Sequence, residues 1–398
     1  MVRKIVPSDP SIGEFNAVTE LMWDQIQEGT FEDTLVVFDW TDDPAAIVLG
    51  HHEDADQYDY EAVTEAGLTP GRTVSMGGGG AGVFTPATPS VVMFYEHDRY
   101  DADENTLRRH FDELNGKSNQ AAMERIGLDA EYRSIGDTEV TVDGKDYKVM
   151  ASAAGSFPHP NYWGFQSTPI WGSMPAEEGK LFNEVINLPE EKFEDKDTDS
   201  LTSRMQPISQ LLEEEGVEAS RQDVIDAIVE ENVERILGPD EEIVETDWRA
   251  DEREFIADNT PFYESKTWIN RRSTTKLCMR SPDEYDLGIA AYKSRKLIKA
   301  SIVIDDDGLI HDALFSGDFF MRPLQTTTST RALDDLASAL VGTDPTDEEA
   351  LEAAIAGVLE DNPIEVPRVT AGDFVQPVRK ASENRQSVGE YLAESTAN

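Results

Sequence analysis

The chain has 398 residues, of which 39% are hydrophobic, so it is long enough for two packed domains and too apolar for disorder. Asp and Glu number 80 against 34 Lys and Arg, a formal net charge of -46. So negative an envelope excludes nucleic acid and anionic membranes as expected partners. The acids pervade the chain and form no tail, which suits work in very high salt, where the Debye length shrinks to about 3 Å. The expected source is a halophile with an intracellular brine. A single cysteine, Cys278, leaves no disulfide framework and no cysteine metal site. The first residues, MVRKIVPSDP, have no apolar core of a signal peptide, and no apolar run has spanning length. The expected location is the cytoplasm.

In chain order, Phe15, Val18, Leu21, Met22 and Ile26 recur at three- and four-residue steps and predict a helix over 12–27. Leu35 to Trp40 and Ala46 to Gly50 read as buried strands, the second running into Gly-His-His-Glu-Asp. Adjacent His51 and His52 in a strand would face opposite ways and could not chelate together. The stretch GRTVSMGGGGAGVFT follows, with Arg72 at its entrance and Gly77, Gly78, Gly79 and Gly80 in a row before Ala81, Val83 and Phe84. Four consecutive glycines cost backbone entropy and add no packing. Either this is a flexible surface turn, or its bare N–H groups approach a phosphate or carboxylate. It fits neither a Walker loop nor a Rossmann fingerprint.

Val91 to His97 predicts a strand and Asp103 to Ile126 a long helix. Residues 139–155, EVTVDGKDYKVMASAAG, read as a hairpin turning at Asp143-Gly144. Its return strand carries Lys148 into the small residues Ala151, Ser152, Ala153, Ala154 and Gly155. That lysine is either a solvated strand end or the partner of an anion in a backbone-lined pocket. Ile170 to Met174 predicts an apolar strand with a Gly-Ser step, and Pro189 to Ser200 a charged connector. Helices are expected over 221–236 and 249–260. From Lys276 the pattern becomes strands turning at Asp306-Asp307-Gly308, then helices over 328–341 and 348–359. The basic run Lys293, Arg295, Lys296 and Lys299 is either a solvated face or a contact for an acidic acceptor or phosphate. The segment 363–398 reads as a polar surface tail.

Taken together, the ordered pieces resemble the lipoate–protein ligases of the biotin/lipoate ligase superfamily. The glycine loop is similar to that family's arginine-glycine signature, and KVMASAAG to its Lys-(Ile/Val)-x-Gly-x-Ala segment, with Lys148 in the family lysine's place. PAAIVLGHHED resembles the strand ending in Gly-Arg-x-Gln, IWGSM the His-Gly-Thr-Leu-Leu segment, and FYESKTW the closing Tyr-x-x-x-x-Trp. Residues 185–204 are similar to the connector ending in Ser-x-x-x-Arg, and GDFFMRP opens a stretch similar to the small accessory domain. The chain departs from the family in having one arginine before the loop, Thr85 and Trp171 where histidines are usual, and Ala151 for a glycine.

The resemblance implies an α+β fold, a biotin/lipoate ligase-like mixed sheet flanked by helices, with a small C-terminal α+β accessory domain. The expected division is 1–275 catalytic, 276–362 accessory and 363–398 tail. It implies that lipoate and ATP, with magnesium, give lipoyl-AMP, and that the acyl group passes to a lysine of a lipoyl domain. Acceptors would be the E2 subunits of 2-oxoacid dehydrogenases and the glycine cleavage H protein, and the enzyme a monomer. Lys148 would bridge carboxylate and phosphate, and Arg72 would meet the ATP phosphates. Gly77 to Gly80 and Ala81 would present backbone, and Val83 and Phe84 would line an acyl tunnel. Ala151, Ser152, Ala153 and Ser173 would border the adenylate, with Asp137 and Glu139 as magnesium ligands. Two alternatives stand beside the ligase: an octanoyl or lipoyl transferase without ATP, and a non-catalytic protein that binds lipoyl domains.

Overall fold

The computed structural model describes residues 1–40, 46–74, 76, 78–97, 106–133, 136–173, 176–187, 191, 205–328, 331–361 and 364–395. Strands β1 (Val2–Ile5), β2 (Thr34–Phe38), β3 (Ala46–Leu49), β4 (Thr69–Arg72), β5 (Gly82–Phe84) and β6 (Ser90–Glu96) come first. They are followed by β7 (Ala130–Arg133), β8 (Asp137–Val142), β9 (Lys145–Ser156), β10 (Tyr162–Pro169) and β11 (Ile243–Glu245). Eight form a mixed sheet in the order β11-β1-β2-β6-β10-β9-β8-β7, parallel at β11-β1-β2 and antiparallel elsewhere. The other three form a small sheet, β4-β3-β5.

The opening residues, expected only not to be a leader, are an inner strand of this sheet. Arg3 on β1 donates twice to Glu252, at 2.7 and 2.8 Å, and Glu252 also accepts from Gln25 at 2.9 Å. One buried ion pair thereby ties β1 to the Ile12–Glu28 and Ala250–Tyr263 helices. The Arg221–Ile236 helix has the bounds expected of it, with a Ser220–Asp223 capping box at its start.

The helix expected from Asp103 begins after Thr106, whose side chain caps Arg109, and 103–105 lie outside the described residues. Its course is interrupted by a π-helical segment, His110–Asn115, before Gly116–Arg125 resumes α geometry. The wider turn aims Asn115 and Asn119 at the sheet. Asn119 donates to the Ser152 hydroxyl at 2.8 Å and accepts from that of Ser167 at 2.6 Å. Ile170 to Ser173, expected as a strand, follow β10 as irregular chain, and Met174 lies outside the described residues. So does the connector expected over 189–200, apart from Glu191.

The second part of the chain forms a four-stranded antiparallel sheet, β14-β13-β12-β15, from β12 (Asp286–Lys293), β13 (Leu297–Ile304), β14 (Ile310–Gly317) and β15 (Arg385–Ser387). Helix Ala332–Ser338 is shorter than the one expected over 328–341, and Glu348–Asp361 runs two residues past the one expected over 348–359. The segment expected as a surface tail does not behave as one. Helix Ala371–Glu383 buries Phe374, Val375, Val378 and Ala381 in the core of this second sheet, and β15 completes the sheet itself. Its apolar stripe is short and interrupted by Pro377, so polar composition hid it. No helix among the described residues is long and apolar enough to cross a membrane.

The two parts meet at the turn after β3. His51 and His52 are not strand residues facing apart: both are fully buried in that turn, with ring centroids 4.6 Å apart. Asp54, next in the turn, is fully buried and receives the Lys299 ammonium at 2.8 Å and the Thr274 hydroxyl at 2.6 Å. Lys299 thus leaves the expected basic face and becomes an internal counter-ion. Removing it strands a buried carboxylate, so Lys299→Met is expected to cost about 3–5 kcal/mol by urea unfolding in molar KCl.

Burial, helped by the Arg271 guanidinium, holds His51 well below the usual imidazole range, and burial does the same to His110. Both are neutral in the fold, while the unfolded chain takes up protons near pH 6.5 (roughly). Below that pH the unfolded state binds more protons, so stability falls as pH drops from 7 towards 5.5. His110→Phe, which keeps the stack on Trp163 but cannot titrate, is expected to give a shallower decline in the urea midpoint.

Candidate active site

The site is built on one face of the large sheet. Directly paired residues of neighbouring strands point to the same side, and successive residues alternate. Register therefore puts Gly164, Gln166 and Thr168 of β10 on the same face as Gly155, Ala153 and Ala151 of β9, and Asp137 of β8 with them. Strict alternation along β9 would send Lys148 to the other face, with Met150 and Ser152. A bulge prevents this. Thr138 pairs with Met150 but Glu139 pairs with Lys148, so Val149 is an extra residue, and beyond it the faces exchange. Lys148 consequently shares the face of Ala151, Ala153 and Gly155. Its ammonium lies 2.7 Å from Asp137 Oδ1, and the side chain is 23% exposed.

The glycine loop lies on this same face, backbone against backbone. A Cβ on Gly155 would stand 2.2 Å from the carbonyl oxygen of Met76, one on Gly164 2.6 Å from Met76 Sδ, and one on Gly50 2.1 Å from the carbonyl oxygen of Gly79. Three glycines outside the loop are thus required by the loop's approach. Met76 itself holds a left-handed φ of 49°, rare for a non-glycine residue. Gly78 is pressed against Phe319 and Phe320 of the second part, since a Cβ there would meet the Phe319 carbonyl oxygen at 2.4 Å. Gly79, Gly80, Ala81 and Val83 are half-buried and border the open side; Gly77 lies outside the described residues. Phe84 turns inward against Phe15 and Trp40, at 5.6 and 5.1 Å between centroids.

Three expected placements are corrected. Arg72 is fully buried, and its guanidinium donates to the carbonyls of Gly50, His51, Glu53 and Ile269 at 2.7–3.1 Å, so it clamps the turn after β3 and does not face a phosphate. Ser152 points to the opposite face from Lys148, where Asn119 holds it. Asp137 and Glu139 are engaged by cations, Lys148 at 2.7 Å and Arg133 at 3.1 Å. Among the described residues no group of three or more His, Cys, Asp or Glu stands together, and both carboxylates already face a cation of this chain. Ser173 is exposed just beyond Gly172, beside Ala87, whose carbonyl accepts from Trp171 at 2.7 Å.

Sequence reasoning found the loop, the lysine and the small-residue run. It missed Gly50, Gly155 and Gly164 as the loop's bed, and Gln166, because a close approach between distant backbones leaves no mark on the local pattern, even at Gly50 and Gly155, which stand in quoted segments.

LipL1 of P. falciparum in complex with lipoate superposes with a TM-score of 0.62 at 12% identity, over 95% of this chain and 98% of that one. The bi-partite lipoate protein ligase of Thermoplasma acidophilum gives 0.52 at 16% identity, over 67% and 95%. A lipoate-protein ligase A bound with ATP gives 0.50 at 14%, over 68% and 99%. The fold is that of the biotin/lipoate protein ligases. No family model and no curated protein matches the sequence. The P. falciparum structure matches nearly the whole of this chain, whereas the other two match about two thirds of it.

The loop bed offers a stability test. Gly155→Ala pushes Cβ into the Met76 backbone and is expected to destabilise by about 1–3 kcal/mol. Gly357→Ala, in a helix with open space around it, is expected to stabilise by about 0.5–1 kcal/mol. Thermal unfolding of the two variants checks the contrast.

Proposed function

We propose that this protein is an ATP-dependent lipoate–protein ligase of the cytoplasm of a halophile. The observation that carries the proposal is Lys148. A bulge turns its ammonium onto the face that bears the glycine loop, in a fold shared with proteins crystallised with lipoate and with ATP. In the first step a lipoate carboxylate oxygen attacks the α-phosphorus of ATP, a new O–P bond forms, and the bond to pyrophosphate breaks. Two anions must meet for this, and a positive charge placed between them is worth more in the transition state than before it. Lys148 supplies that charge as a compact ammonium, and Asp137 holds it in position. Half-buried Gly79, Gly80 and Ala81 present backbone to the nucleotide. In the second step the amine of a target lysine attacks the acyl carbonyl, an amide forms, AMP leaves, and the amine loses a proton.

The acceptor in this reading is a lipoyl domain, as in E2 subunits or the glycine cleavage H protein. The similarity to a ligase studied with its E2 lipoyl domain supports that choice. A transferase would need a nucleophilic cysteine. Cys278 is buried with Leu277, Leu287 and Val303, and burial pushes its thiol up to about 12, opposite to what a nucleophile needs. In this reading residues 1–275 are the catalytic part, and the remainder, through the helix Ala371–Glu383, is the accessory part. With Arg72 turned into the scaffold, Lys148 is the cation this reading places at the phosphates among the described residues, and its loss is expected to be severe.

Lipoate-dependent ATP–pyrophosphate exchange in molar KCl tests the reading. Native protein is expected to exchange, and Lys148→Ala to lose at least about 100-fold, the size of one removed transition-state contact. Absence of exchange from folded native protein would sink the ligase and leave a lipoyl-domain binding protein.

A further inference from the structure

Gln166 is a long polar side chain, buried on the loop-bearing face of the central strands β6, β9 and β10. Two rungs of the sheet define its setting. The outer rung runs Phe38, Ser90, Thr168, Ala151 and Asp137. The inner rung runs Val36, Val92, Gln166 and Ala153. Ala151 and Thr168 are half-buried, while Ala153 and Gln166 are each 5% exposed, so the floor deepens from Lys148 towards Gln166. Beyond Gln166 the way is closed by Met76, whose sulfur lies against Gly164. An acid whose carboxylate meets the Lys148 ammonium therefore has its far end over Gln166.

The Gln166 carboxamide is half satisfied. Nε2 donates to the Thr168 hydroxyl at 2.9 Å and to that of Ser90 at 3.5 Å. Oε1 is buried and has no hydrogen-bond partner. Rotating the amide by half a turn exchanges the two ends: the Thr168 hydroxyl then donates to Oε1, and the NH2 group faces the groove. Either way one polar end is aimed inward with nothing to bond. A buried amide left so is costly, and the surrounding floor of Ala and Gly offers no substitute.

We propose that Gln166 is a specificity-determining residue of the acyl groove, its carboxamide bonding a ring heteroatom at the far end of the acid, so that lipoate is preferred to octanoate. This rests on the ligase reading for its substrate class. A dithiolane sulfur accepts an amide N–H, as Met321 Sδ does from Gln325 Nε2 at 3.4 Å elsewhere in this molecule. The methyl end of octanoate accepts nothing and leaves the amide desolvated and unpaired. Gln166 does not touch the reacting carboxylate, so its effect falls on acid binding and selection, not on the chemical step.

The experiment is kcat/KM for lipoate and for octanoate in pyrophosphate exchange, for native protein, Gln166→Met and Gln166→Asn. Native protein is expected to prefer lipoate by about tenfold, the modest discrimination of a single weak contact. Gln166→Met, close in volume, is expected to bring the ratio near one through KM, with kcat unchanged and octanoate unimpaired. Should Gln166→Met fail to fold, Gln166→Asn, which retains the amide one methylene shorter, is expected to lower the ratio as well. An unchanged ratio in the folded variant overturns the proposal, as does a native ratio near one. Calorimetric binding of both acids separates this proposal from the ligase reading. Native protein that binds lipoate over octanoate without exchange sinks the ligase and retains Gln166, provided Gln166→Met erases the preference. Binding of neither acid sinks both.

Discussion

Backbone-to-backbone packing of the glycine loop on the sheet is the constraint around which the site is arranged. Gly155 and Gly164 leave room for Met76, and Gly50 leaves room for Gly79. Side chains at these positions would lift the loop away from the strands, and with it the half-buried glycines that border the groove. The bulge at Val149 works on the same face: it turns Lys148 towards the loop while Ser152 stays with the helix behind the sheet. Loop and lysine are therefore positioned by features of β9 that lie only a few residues apart.

The interior charges follow a different rule from the surface. Outside, the excess of acids sets a field that salt must screen. Inside, each described buried carboxylate near the junction has a specific cation or donor: Glu252 has Arg3, and Asp54 has Lys299 and Thr274. At the surface, exposed Asp56 accepts from Ser273 and Tyr391 and joins the turn after β3 to the last helix. Glu20 accepts from Tyr263 at 2.8 Å and from the Thr327 N–H at 3.1 Å, a second tie between the two parts. Such pairs contribute little net stability against apolar replacements, but breaking one side of a pair is costly. They fix which surfaces of the two sheets meet. Arg72 belongs to this scaffold, since its Nε and Nη1 donate to four carbonyls, three of them where the chain turns after β3.

Much of the framework was legible because it depends on local periodicity. The 12–28 and 221–236 helices, the hairpins at Asp143-Gly144 and Asp306-Asp307-Gly308, and the inner strands all follow apolar spacing or turn chemistry. What escaped is what local pattern does not encode. The first strand is four residues long and was too short to show alternation. The Ala371–Glu383 helix carries a proline and a polar outer face, so its buried stripe was taken for surface. The π-helical segment keeps helical spacing on either side and has no signature of its own.

By itself, the sequence determined the fold class, the glycine loop, the presence of a lysine among small residues and the acidic envelope, because each is a property of neighbours along the chain. Tertiary structure alone decided which way Lys148 faces, since one unpaired residue in a ladder reverses alternation without changing composition. It also decided that Arg72 is a clamp, because three of its acceptors precede it in the turn after β3 while the fourth, Ile269, lies 197 residues after it. Gln166 became visible only when register placed it beside Ala153 and left one end of its amide unbonded.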